Sequence, residues 1–264
     1  MILESSSFIC PVCRARLFKL ESGLRCMSGH SFDKAKQGYV NLLLKNGSGK
    51  RHGDDKLMVE ARSRFLDKGY YAGLRDRINE IIGNGHTLLD SGCGEGYYTS
   101  LFAENNKVVG IDISKDALKT AAKRCKGSEF AVASVGDIPL PDGAVDTVVC
   151  IFAPESEEFS RILTDGGRLI TATPLEEHLM ELKAAVYDKP YKNPPTDYRK
   201  EGFLILSQTE VKYEITLESN EDIEALFKMT PYYYKTSIAD QQKLSALETL
   251  TVGLEFMITE YKKD

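Results

Sequence analysis

The run Leu88-Leu89-Asp90-Ser91-Gly92-Cys93-Gly94-Glu95-Gly96-Tyr97-Tyr98-Thr99 constrains the fold more than any other part of this 264-residue chain. It reads as an apolar strand, an acid at the strand end, three glycines at alternate positions and the start of a helix. A backbone that turns sharply and still admits a ligand needs residues without a Cβ, and Gly92, Gly94 and Gly96 supply them. The spacing is Gly-x-Gly-x-Gly, not the Gly-x-Gly-x-x-Gly of dinucleotide turns, and no Lys-Ser or Lys-Thr follows to hold phosphates. A nucleoside without a pyrophosphate, such as S-adenosylmethionine, suits such a turn, with Asp90 and Glu95 beside it.

The chain beyond repeats the strand-then-helix pattern. Residues 108–113 form a second buried strand whose terminal acid, Asp112, lies 22 positions after Asp90 and is followed by Ile113. A carboxylate there can accept both hydroxyls of a ribose. Residues 131–138 lead to a third strand end, where Asp137 is placed to meet an adenine amine and Ile138 its face. Residues 145–154 form a fourth strand running into the place where a methyl acceptor belongs, with Glu155 next to it as a candidate to take a proton directly or through water. Residues 159–170 then read as a helix, a tight Gly166-Gly167 turn and a fifth strand. Strands separated by helices imply right-handed crossovers and a parallel sheet with ligand at the carboxyl ends of the strands.

Past residue 171 the pattern changes. Glu176 to Tyr187 reads as a helix containing His178, Leu204 to Leu217 as two strands, and residues 221–228 as a short helix. Three tyrosines follow Pro231, suited equally to a substrate lid, to core packing or to surface. Alternation at Leu250, Val252, Leu254, Phe256 and Ile258 gives a terminal antiparallel strand that closes the sheet.

At the front, Cys10-x-x-Cys13 and Cys26-x-x-x-His30 stand twelve residues apart. Two tight turns at this separation converge on one tetrahedral Zn²⁺ with three thiolates and one imidazole. No coordination position is left for water, so the metal is structural, and in so short a segment its binding is largely the folding free energy. The six cysteines are too unevenly placed for a disulfide scaffold.

Charge is also uneven. Residues 1–86 hold 15 Lys and Arg against 9 Asp and Glu, a charge of +6, although the whole chain carries −5. A basic front that bears Phe32 and Tyr39 among lysines suits unstacked RNA, and the same rings suit packing of a small domain equally. Residues 45–55 read as a flexible linker whose basic half can reach RNA. Two helices follow over 56–83, with Arg62, Arg64, Arg75 and Arg77 on their solvated faces. The domains expected are a zinc-binding unit over 1–44, the linker, and a catalytic unit over 56–264 divided at 84 and 172. No apolar run reaches the ~18 residues of a membrane helix and the start lacks an export signal, so a cytoplasmic protein is expected.

The ordered set Cys10-x-x-Cys13…Cys26-x-x-x-His30, Phe32-Asp33-x-Ala35-Lys36-x-Gly38-Tyr39-Val40-Asn41-Leu42-Leu43, Ala61-Arg62-x-x-Phe65-Leu66-Asp67-x-Gly69-x-Tyr71, Asp90-x-Gly92-Cys93-Gly94-Glu95-Gly96-Tyr97-Tyr98 and Thr171-Ala172-Thr173-Pro174 closely resembles the RlmA-type bacterial 23S ribosomal RNA (guanine-N1)-methyltransferases. The likeness continues through His178-Leu179-Met180-Glu181-Leu182 and Met229-Thr230-Pro231, covering most of the chain. It implies a Rossmann-like class I S-adenosylmethionine-dependent methyltransferase with a small zinc domain. The implied acceptor is N1 of a guanine in a ribosomal RNA hairpin loop, and a homodimer is implied as well. Tyr71 and His178 become cofactor contacts, and Phe152 and the carbonyls around Pro154 contacts of the target base, on the resemblance alone. A small-molecule methyltransferase would share the core, because fold does not fix substrate, and a non-catalytic zinc-dependent RNA-binding module would share the front. The basic front disfavours the first, and the intact Asp90, Gly92, Gly94, Asp112 and Asp137 set disfavours the second.

Overall fold

The computed structural model describes residues 4–44 and 53–264. The basic part of the expected linker, 45–52, lies outside the described residues. The front forms an antiparallel sheet of β1 (Ser5–Ile9), β2 (Arg16–Leu20), β3 (Gly23–Cys26) and β4 (Ser31–Asp33), in that order. So small a sheet cannot bury a core of its own. Its Phe8, Leu17 and Leu24 instead pack in one cluster with Leu89, Val109 and Ile111 of the larger unit. The next strand, β5 (Val40–Asn41), leaves the small sheet and pairs in parallel with the edge of the large one. Glu129 on that edge accepts from the Ser6 and Ser7 hydroxyls at 2.6 and 3.0 Å, and Arg14 pairs with Asp137 at 2.8 Å.

Two helices lead into the larger unit, α1 (Lys56–Asp67) and α2 (Ala72–Ile82). The Asp55 carboxylate caps α1 by accepting the Met58 N–H at 3.0 Å. Apolar residues at helical spacing, Ala61 and Phe65 on α1 and Leu74, Ile78 and Ile82 on α2, face the core.

The order then runs β6 (Thr87–Ser91), α3 (Tyr97–Phe102), β7 (Lys107–Asp112), α4 (Lys115–Arg124), β8 (Glu129–Val132), β9 (Val145–Ile151), α5 (Glu158–Ile162), β10 (Leu163–Pro174), α6 (Met180–Val186), β11 (Phe203–Leu217), α7 (Asn220–Lys228), α8 (Ile238–Gln242) and β12 (Leu250–Lys263). Across the sheet the strands lie β11-β12-β10-β9-β6-β7-β8-β5, with β12 antiparallel to both its neighbours. From β6 the chain moves outward to β7 and β8, then returns to β9 on the other side of β6. Adjacent strand ends whose chains depart in opposite directions leave a crevice between β6 and β9. Among the described residues no helix is long and apolar enough to cross a membrane.

Three local expectations are corrected. Gly166 and Gly167 lie within β10, where its register against β9 slips, and make no separate turn. Residues 203–217 form one strand, because β12 pairs with it along its whole length around a single irregularity near Leu206. His178 precedes α6: Leu179 adopts a left-handed φ of 59° and breaks the helix there.

Candidate active site and metal centre

Cys10 and Cys13 flank the turn after β1, Cys26 ends β3, and His30 lies just before β4. These turns bring the four ligand atoms within 4.8 Å of one another. Cys10 and Cys26 Sγ stand 3.6 and 3.4 Å from His30 Nδ1, and Cys13 Sγ is 3.8 Å from Cys26 Sγ. A tetrahedron with Zn–S arms of ~2.3 Å has edges of ~3.8 Å. The set therefore fits Zn²⁺, with His30 ligating through Nδ1.

The crevice between β6 and β9 opens into a cavity of about 670 Å³. Its first wall is made by strand ends: Asp90, Gly92, Gly94 and Glu95 after β6, Asp112 and Ile113 after β7, and Ala133, Ser134 and Val135 after β8, with Tyr71 and Arg62 above them. Gly92 has φ +76°, and a Cβ there would sit 2.4 Å from the Ala153 Cβ, so only glycine lets the ends of β6 and β9 stay adjacent. A Cβ on Gly94 would meet nothing within 4 Å among the described residues, which leaves the cradle open.

This wall is acidic and buried. Asp112 accepts the Gly94 and Ser114 N–H groups at 2.9 and 2.7 Å, and Asp90 accepts the Thr99 hydroxyl at 2.5 Å. Burial raises the pKa of Asp90, Glu95 and Asp112, and pushes Asp90 up to about 7. Arg62 is the one permanent cation lining the cavity among the described residues; it is paired with Asp54, and its charge partly offsets the burial of Glu95. The buried Tyr98 hydroxyl has no hydrogen-bond partner among the described residues. Acids for a diol and an amine, a guanidinium for a carboxylate and an orphaned phenol together match S-adenosylmethionine.

The second wall comprises Phe152, Ala153 and Pro154 after β9, then Asn193, Met229, Thr230, Pro231 and Tyr232, with His178 and Leu179 closing one end. Phe152 holds a left-handed φ of 54° and is 45% exposed, its ring 6.4 Å from Tyr71 and 5.4 Å from Phe256. A bulky residue held in that conformation signals strain that the surroundings impose. His178 Nδ1 accepts the Glu255 N–H at 3.2 Å, and burial, with the charge of Lys183 adding to it, depresses its pKa to about 3. The ring is therefore neutral, with its proton on Nε2.

Of the residues the sequence singled out, Tyr71, Asp90, Gly92, Gly94, Glu95, Asp112, Ile113, Phe152, Pro154 and His178 line this one cavity. Four others do not. Gly96 packs α3 onto α4, where a Cβ would lie 3.0 Å from Ala121 Cα. β8 stops at Val132, so Asp137 falls in the following turn and faces Arg14, Ile138 is fully buried, and Ser134 and Val135 take the cavity position instead. Glu155 turns away to pair with Lys200.

Reading the sequence missed Arg62, Ser134 and Asn193. Arg62 stands four positions before Leu66 on α1 and both line the cavity, so an apolar partner at i+4 was the available signal that this face is covered. Asn193 sits in an irregular stretch without periodicity, where no local signal exists.

A family model described as a methyltransferase domain matches residues 82–231, which defines the class of the larger unit. A second, described as RlmA, N-terminal, matches residues 8–45. A Bacillus subtilis protein provisionally named 23S rRNA (guanine-N(1)-)-methyltransferase is 33% identical over 97% of this chain and 98% of its own. The 23S rRNA (guanine(748)-N(1))-methyltransferase of Streptomyces fradiae is 39% identical over 67% of this chain and 66% of its own. The chain belongs to the RlmA-type 23S rRNA (guanine-N1)-methyltransferase family.

Proposed function

We propose that this protein transfers the methyl group of S-adenosylmethionine to N1 of a guanine in a hairpin loop of 23S ribosomal RNA. One observation carries the reading. A single cavity joins a wall of strand-end acids suited to a nucleoside to a second wall of partly exposed rings, in a chain fronted by a zinc ribbon. The names of its relatives support the acceptor.

S-adenosylmethionine supplies an electrophilic methyl on a sulfonium. Asp112, its carboxylate already oriented by the Gly94 and Ser114 N–H groups, would hold the ribose hydroxyls. Ser134 and Val135 would border the adenine. Arg62, Glu95 and the Tyr98 phenol would meet the amino-acid end, with Tyr71 and His178 lining the space between. Phe152 and Pro154 would receive the target base.

Guanine N1 lies on the pairing edge, so the base must leave its stack before it can react, which costs least in a single-stranded loop. The N1 proton must also leave. His178 carries its own proton on Nε2 and donates there, and the second wall presents no carboxylate among the described residues, so water is the proton's exit. The chain's main contribution is then alignment of reacting atoms about 3 Å apart. The basic ribbon would hold the RNA, and two copies would offer a wider cleft than one. Such a substrate places the protein in the cytoplasm.

The test is incubation with S-adenosylmethionine and 23S rRNA lacking the modification, followed by primer extension. N1 methylation blocks pairing, so reverse transcriptase should halt at one hairpin-loop guanine. Methylation of small molecules without any halt would overturn the reading.

A further inference from the structure

Lys183 is a lysine only 1% exposed, in the middle of α6 and behind the second wall of the cavity. Its Nζ donates to the Tyr191 carbonyl at 3.1 Å and to Asn193 Oδ1 at 2.8 Å. The same nitrogen lies 5.3 Å from the Tyr191 ring centroid and 5.1 Å from that of Tyr232. Glu177, the acid whose charge reaches it, is itself paired with Lys192. A buried ammonium without a bonded counter-ion among the described residues is costly, and a methionine of similar shape would fill the space without that cost. Here the amine is used to hold other groups.

Those groups form the wall. Residues 187–199 contain no helix or strand, so side chains must hold them in place. Asn193 is fixed from three directions: its Oδ1 accepts from Lys183 and, at 3.0 Å, from the Tyr232 hydroxyl; its Nδ2 donates to the Leu175 carbonyl at 2.7 Å; and its N–H donates to the Glu176 carbonyl at 2.9 Å. Two donors on Oδ1 set the amide's orientation. Asn193 and Tyr232 both line the cavity, while Lys183 stands behind them.

We propose that Lys183 is a positioning residue for the nucleobase acceptor, clamping the Tyr191–Asn193 segment to Tyr232 so that this wall keeps one shape. The proposal rests on the second wall being the acceptor side. It predicts a split that a general structural role would not give. In Lys183→Met, KM for unmodified 23S rRNA should rise roughly tenfold or more, because a small misplacement at the reacting base is costly. S-adenosylhomocysteine affinity, set by the first wall, should stay within about twofold of wild type.

Asn193→Leu should reproduce the split. Asn193→Asp, which keeps an acceptor for the amine but gives up the Nδ2 bond to the Leu175 carbonyl, should lose less than Asn193→Leu, and Lys183→Met/Asn193→Leu should be no worse than either single variant. Equal loss of product-analogue affinity and RNA KM, an unchanged RNA KM, or additive losses in the double variant would each overturn the clamp. Should Lys183→Met fail to fold, Asn193→Leu against Asn193→Asp decides the same question. Absence of transfer by the wild-type protein would instead overturn the acceptor reading beneath it.

Discussion

The two walls of the cavity are built in different ways. The first is a row of strand ends: β6, β7 and β8 stop side by side, and ladder hydrogen bonds fix where Asp90 and Asp112 stand, with Ser134 two residues past the end of β8. The second is assembled from segments distant in sequence, after β9, before α6, around residue 193 and after α7, and its positions depend on side chains such as Lys183, Asn193 and Tyr232. Register fixes one wall and a side-chain hub fixes the other. The first should therefore fail by steric insult to the backbone, and the second by loss of single polar contacts.

The largest effect is expected at Gly92. In Gly92→Ala the new Cβ would meet the Ala153 Cβ at 2.4 Å with φ held at +76°. S-adenosylhomocysteine affinity measured by calorimetry should fall by ~100-fold or more, since neither strand end can yield. Asp112→Asn keeps the shape and removes a charge that accepts two backbone N–H groups. A loss of ~10- to 30-fold is expected, the value of a charged hydrogen bond.

A third prediction uses acidity. Burial raises the Asp90 pKa in the fold to about 7, above its ordinary ~3.9. Its protonated form is the one the fold prefers, so its stabilising share is fully present below pH ~4 and is lost as pH rises to about 7. A cationic donor reverses the preference. S-adenosylmethionine affinity should rise with pH up to about 7 and level off above it, a limb that Asp90→Asn abolishes and His178→Gln retains, because burial holds the His178 pKa at about 3. The smallest effect belongs to Glu155. Paired with Lys200 outside the cavity, it should give less than about threefold change in rRNA methylation as Glu155→Gln.

The same contrast explains what could be read before the structure. Residues whose place follows from local spacing were legible: the four zinc ligands, the glycine turn, and the acids ending β6 and β7. Asp137 was expected at the end of a third strand, but β8 ends at Val132, and a boundary a few residues earlier places this acid in a turn facing Arg14 and not in the cavity lining. His178 was expected within a helix because nothing in the sequence announces a left-handed leucine at 179. Asn193 and Lys183 were invisible in their roles, since Asn193 has no periodic neighbourhood and the partners of Lys183 lie outside its helix.

Phe152 tests the division most directly, because it belongs to the second wall and yet its ring lies 6.4 Å from Tyr71 of the first. The measurement is S-adenosylhomocysteine affinity beside kcat/KM on unmodified 23S rRNA, for wild type and Phe152→Ala. The account predicts kcat/KM lower by ~30-fold, the worth of a lost base-stacking face, with product-analogue affinity within about twofold. Parallel loss of both, or an unchanged rate on rRNA, would contradict it.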